Sequence, residues 1–109
     1  LPHKAIDIPV EQGTLVRAPA NGVVERVADN GYGYNYLIIK HLGGATVYGH
    51  LEAFTVAEGD AVQAGDVIGK SGGRPGSPGA GGLSTGPHLH LEVLVNGEHV
   101  DPLNYLPAL

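Results

Sequence analysis

The chain contains no cysteine, no methionine and no tryptophan, a single phenylalanine, and only six lysines and arginines among 109 residues. The missing cysteine excludes a thiolate nucleophile, a thiolate metal ligand and any disulfide, and it leaves the redox compartment unread. Six basic residues against eleven acidic ones give a net charge of −5. That balance excludes the basic footprint that nucleic acid requires and argues against electrostatic docking on an anionic membrane. No apolar run approaches the ~20 residues that span a bilayer. A first residue of Leu1 and the absence of methionine point to a domain cut from a longer protein, so a missing export signal carries no weight.

What remains is apolar and rich in turn residues. Apolar residues make up 42% and charged residues 16% of the chain, a balance that folds rather than stays disordered. The length suits one domain, 1–109, with a modest core. Eighteen glycines and eight prolines favour short strands joined by tight turns. Strand-like runs are expected at 14–18, 22–28, 36–41, 45–50, 58–62, 64–69, 88–95 and 98–100, with a corner at 51–54. Asn96-Gly97 closes a two-residue hairpin, and no stretch carries helical periodicity.

Two glycine-punctuated segments, 13–24 and 59–69, resemble the barrel-sandwich folds of lipoyl and biotinyl carrier domains. A carrier needs a lysine at a hairpin tip, and neither Lys40 nor Lys70 sits in such a turn. The fold expectation is all-β: a small antiparallel sheet or barrel-sandwich hybrid with short turns and long loops flanking a groove. Residues 71–82, with six glycines and two prolines, read as a flexible surface loop bordering that groove.

The chemistry concentrates in a few side chains. In His88-Leu89-His90 strand alternation points both imidazoles to one face, and the i,i+4 spacing of His3 and Asp7 does the same upstream. Imidazole nitrogen and carboxylate oxygen are ligands that a catalytic Zn²⁺ accepts, with a position left for water. These residues imply a metal-assisted hydrolase. Spacing alone does not decide whether His88 or His90 binds the metal. Glu92 shares their face and is a candidate partner for fixing an imidazole tautomer. Tyr48, two residues from His50, is expected on the His50 face, either lining the cleft or packing. His41 and His99 are read as structural or surface histidines.

His3-x-x-x-Asp7, Tyr48-Gly49-His50-Leu51 and Gly86-Pro87-His88-Leu89-His90-Leu91-Glu92 together resemble the lysostaphin/LytM-type zinc metallopeptidases. The likeness extends through residues 13–24, the glycine-spaced stretch 56–69, Ser84-Thr85-Gly86-Pro87 and the closing Val100-Asp101-Pro102. It implies one Zn²⁺ per domain held by His3, Asp7 and His90, with His50 and His88 as catalytic histidines. It also implies substrate contacts from Asn35, Tyr48 and Thr85. The implied activity is endopeptidic cleavage of peptide cross-links in bacterial peptidoglycan, with D,D-type stem cross-links favoured over glycine bridges. A place in the cell envelope, periplasmic or extracellular, follows from the same resemblance, and a monomer is the expected state. The competing expectation is a catalytically silent scaffold that binds and activates another wall hydrolase.

This chain departs from the family pattern at two places. Ala5 stands where a glycine is usual, and Gly33-Tyr34 precedes Asn35 where Tyr-Gly is usual, a change expected to reshape one wall of the cleft.

Overall fold

The computed structural model describes residues 5–82 and 84–102. Its strands are β1 (Ile6–Pro9), β2 (Leu15–Arg17), β3 (Gly22–Ala28), β4 (Tyr36–His41), β5 (Gly44–Gly49), β6 (Leu51–Phe54), β7 (Ala61–Val62), β8 (Val67–Ser71), β9 (His88–Val95) and β10 (Glu98–Val100). Seven strands form one antiparallel sheet in the order β1-β9-β5-β4-β3-β7, with β10 also paired to β9. The other three form a second sheet in the order β2-β8-β6. The sheets are not closed into a barrel, and no α-helix occurs among the described residues.

Alternation explains the core. Leu37 and Ile39 of β4 are fully buried while Lys40 is exposed. Leu91 and Val93 of β9 are buried, and the intervening positions are less so. Leu51 and Ile68 reach the same cluster from the smaller sheet, with Val16, Val24, Tyr48 and Val62 around them. Each such Leu or Ile removed from water contributes about 1.5–3 kcal/mol.

Turn chemistry sets the registers. Asn96 (φ 52°) and Gly97 (φ 81°) are both left-handed, as a type I′ hairpin requires, and this pairs His99 with Leu94. The runs expected at 58–62 and 64–69 begin later than alternation suggests, because 57–60 and 63–66 are twin turns. In each, an aspartate carboxylate accepts an N–H three residues earlier: Asp60 from Ala57 at 2.9 Å and Asp66 from Gln63 at 2.8 Å. The corner expected at 51–54 is strand β6, paired with β8. Lys40 and Lys70 both lie within strands.

The segment 71–82 is not the loose surface loop that its composition suggests. Ser71, Ser77 and Ala80 are buried, and Gln12 ties the segment down, donating to Ser77 Oγ at 3.2 Å and accepting from Arg74 N at 3.1 Å. Gly79 N donates to Gly31 O at 2.8 Å, and its carbonyl accepts from Asn35 N at 3.4 Å. Gly79 has φ +80°, and a Cβ there would lie 1.9 Å from the Leu51 carbonyl oxygen. Gly76 has φ +81° with open space around it. Gly76→Ala therefore bears only the left-handed backbone cost, about 1–2 kcal/mol. Gly79→Ala adds a backbone clash and costs about 3 kcal/mol or more. Thermal unfolding of the two variants checks this: equal losses would mean that the segment is not packed against Leu51.

Candidate active site

Strand β9 carries two opposed faces. Leu89, Leu91 and Val93 point to the core, so alternation puts His88, His90 and Glu92 on the other side. Antiparallel pairing sets Asp7 of β1 directly opposite His90, where cross-strand side chains touch. Asp7 Oδ1 lies 2.9 Å from His90 Nδ1 and 3.8 Å from His88 Nε2.

His50 arrives by a different route. Strand β5 ends at Gly49, and His50 occupies the bend before β6 with φ 62°. A left-handed backbone at a non-glycine residue costs on the order of 1–3 kcal/mol and persists only when its surroundings dictate it. Here they do. Asn35 clamps the next residue from both sides, its carbonyl accepting from Leu51 N at 3.4 Å and its Nδ2 donating to Leu51 O at 3.3 Å. The His50 ring then lies 4.5 Å from the His88 ring and 6.1 Å from that of His90, centroid to centroid.

Each imidazole is fixed by a neighbour. His50 Nδ1 donates to Ala80 O at 2.9 Å and His88 Nδ1 to Gly86 O at 2.7 Å. Both Nε2 atoms are therefore lone-pair nitrogens in the neutral rings. His90 differs: a carboxylate faces each ring nitrogen, Asp7 Oδ1 at 2.9 Å from Nδ1 and Glu92 Oε2 at 3.0 Å from Nε2, so the neutral ring donates to one and turns its lone pair to the other. In the tautomer that donates to Glu92, the Nδ1 lone pair and the Asp7 carboxylate form a donor set suited to Zn²⁺. Among the described residues no three His, Cys, Asp or Glu side chains could by themselves hold a metal ion. His3, the third ligand that the sequence suggests, lies outside the described residues.

Burial shapes the electrostatics. Desolvation, with His88 and His90 nearby, lowers the His50 pKa below its usual 6.5 despite the Ala80 hydrogen bond and the Asp7 charge. Desolvation and the Glu92 and Asp7 charges push the Tyr34 phenol up to about 12, so it stays a hydrogen-bond donor. Tyr34 stands edge-on to His50 at 4.8 Å. Its hydroxyl occupies the space over Gly49, where a Cβ would come within 2.0 Å. Tyr34, His50, Ala80, Gly81, Gly82 and His90 line an open pocket of about 320 Å³. A larger hollow, about 490 Å³, lies by the β4–β5 turn. The histidine there, His41, has both ring nitrogens engaged, by Asn21 O and Thr46 Oγ1, each at 2.8 Å.

Two expected substrate contacts are corrected. Tyr48 is 2% exposed and belongs to the core, its hydroxyl 2.5 Å from Thr46 Oγ1; burial pushes its phenol pKa well up. Alternation misleads here because the left-handed bend at His50 turns that side chain to the opposite face. Asn35 is also 2% exposed. Its amide is spent on Asn30 N, Gly31 O and Leu51 O, so it positions the bend and cannot reach substrate. Thr85 is exposed three residues before His88. Two residues were missed. Tyr34 was visible only as a departure from the family pattern, and His99 Nε2 bonds Glu92 Oε1 at 2.6 Å.

The chain is similar to known proteins along most of its length. The model of peptidase family M23 matches residues 1–102. The DD-carboxypeptidase/endopeptidase Mpg of Neisseria meningitidis is 45% identical over 104 residues, covering 94% of this chain and 22% of that protein. The chain thus spans about a fifth of the length of the curated relatives it matches. Among solved structures, a zinc containing peptidase from Vibrio cholerae superposes with a TM-score of 0.81 at 36% identity, covering 96% of this chain and 31% of that one. The catalytic domain of lysostaphin from Staphylococcus simulans does so with a TM-score of 0.77 at 32% identity, covering 97% and 80% respectively. Matched in sequence from its first residue to Pro102 and in fold along nearly all of its length, the chain belongs to peptidase family M23.

Proposed function

We propose that this chain is a zinc-dependent endopeptidase that hydrolyses peptide cross-links of bacterial peptidoglycan in the cell envelope, with D,D-type stem cross-links as its preferred bonds. The observation that carries this reading is the convergence of Asp7 Oδ1 and His90 Nδ1, 2.9 Å apart, beside two further imidazoles whose Nδ1 atoms are bonded to backbone carbonyls. The likeness to Mpg supports the D,D preference, and the zinc containing Vibrio peptidase supports the metal. His3, Asp7 and His90 would hold Zn²⁺, which when bound polarises a peptide carbonyl and acidifies water.

The remaining chemistry belongs to the chain's own groups. His50, kept neutral by burial, is suited to accept the proton of the attacking water at Nε2. His88 Nε2, 3.8 Å from Asp7 Oδ1, is suited in its protonated form to protonate the leaving amine, with the carboxylate steadying the cation. Carbonyl bonds at both Nδ1 atoms orient each ring by its Nε2, which accepts a proton at the neutral His50 and gives one up at His88 from the doubly protonated ring. Thr85, exposed on the approach to β9, is available to the peptide.

Digestion of purified peptidoglycan by the zinc-loaded protein, read by mass spectrometry, yields new D-alanyl carboxylate ends and the matching free amines. Asp7→Ala and His90→Ala lose both zinc and cleavage while keeping the fold. His50→Ala and His88→Ala keep zinc and lose about 10²- to 10⁴-fold in rate. Zinc-loaded protein that cleaves no wall preparation would sink the reading and leave a binding scaffold.

A pH dependence follows from burial. The desolvated His50 prefers its neutral form, so its ring in the metal-free protein protonates only below pH 6.5. An NMR titration of the ring carbons checks this, and a midpoint at or above 6.5 contradicts it.

A further inference from the structure

The two strands that flank the outer edge of β9 lie end to end. β1 covers His88 to Leu91, and β10 covers Val93 to Val95. Glu92 falls at the junction, unpaired on that edge while Val47 of β5 faces it on the other. The Asn96-Gly97 turn sets His99 opposite Leu94, which puts it on the same face as Glu92 and diagonal to it, within reach of long side chains. The result is a continuous chain of contacts across three strands. Asp7 Oδ1 meets His90 Nδ1 at 2.9 Å, His90 Nε2 meets Glu92 Oε2 at 3.0 Å, and Glu92 Oε1 meets His99 Nε2 at 2.6 Å.

We propose that His99 is a positioning residue for the metal ligand His90, acting through Glu92. This rests on the reading of His90 as a zinc ligand given above. With Nδ1 of His90 turned to the metal, both oxygens of the Glu92 carboxylate accept an imidazole N–H, one from each histidine. A glutamate has three side-chain torsions, and one arrangement puts Oε2 on His90 Nε2. His99 selects it by anchoring the other oxygen from a hairpin whose register is itself set by the turn. Glu92 thereby keeps the His90 proton on Nε2 and the Nδ1 lone pair turned to Asp7. The neutral His99 ring suffices, because its Nε2–H is the donor. Partners one step beyond a metal ligand typically carry about 10- to 100-fold in metal affinity, and a residue one step further out carries less.

Zinc affinity, measured by competition with a chromophoric chelator, provides the test independently of activity. His99→Ala is expected to weaken zinc binding about 3- to 10-fold, with the unfolding temperature of the metal-free protein nearly unchanged. His99→Gln, whose amide N–H reaches Glu92 in the same way, restores most of it. In a Glu92→Ala background, which is itself weakened, His99→Ala adds nothing further, as expected when one residue acts only through the other. Wild-type affinity in His99→Ala, or an equal loss with and without Glu92, overturns the proposal while leaving the proposed function standing. Undiminished zinc binding by His90→Ala would instead remove the ligand assignment and this inference with it.

Discussion

Antiparallel pairing along β9 is the constraint on which the rest of the site depends. One eight-residue strand bonds to β5 on one edge and to β1 and β10 on the other. Its odd-numbered residues anchor the core, and its even-numbered residues carry the polar groups. Because the core face is buried, a one-residue slip would exchange the two sets and is strongly disfavoured. The 2.9 Å approach of Asp7 to His90, 83 residues apart in sequence, is thus held by hydrophobic burial on the reverse side of the sheet.

Neighbours, more than burial, decide what each histidine can do. Backbone carbonyls of Ala80 and Gly86 take the Nδ1 protons of His50 and His88, whereas His90 stands between two carboxylates, Asp7 at Nδ1 and Glu92 at Nε2. Three identical side chains thereby differ: Nε2 carries the lone pair at His50 and His88, and at His90 it is Nδ1 when Glu92 takes the Nε2 proton. In the proposed function that asymmetry separates a metal-facing ring from two proton-carrying rings. His41 illustrates the contrast: its ring bridges Asn21 O and Thr46 Oγ1, and the same hydroxyl meets the buried Tyr48. It serves as a structural pin.

The strained bend at His50 is supported from two directions. Asn35 grips Leu51, and the packed segment 71–82 supplies both the Ala80 acceptor and the tight Gly79 contact beneath Leu51. Glycine content in that segment reflects close backbone approach and left-handed turns. The flexibility its composition suggests would leave the His50 ring without a fixed acceptor.

Local pattern in the sequence determined most of the strands, the Asn96-Gly97 turn, and the shared face of His88, His90 and Glu92. These depend on periodicity and turn chemistry, which act over a few residues. The same hairpin register, carried two residues further, already implied that His99 lies diagonal to Glu92. Only the tertiary structure decided the pairing of Asp7 with His90, the left-handed turn that separates His50 from Tyr48, the burial of Asn35, and the arrival of Tyr34 over Gly49. Each of these is set by contacts between segments far apart in the chain. Nearest-neighbour preferences carry no information about such contacts, and packing of the whole sheet fixes them.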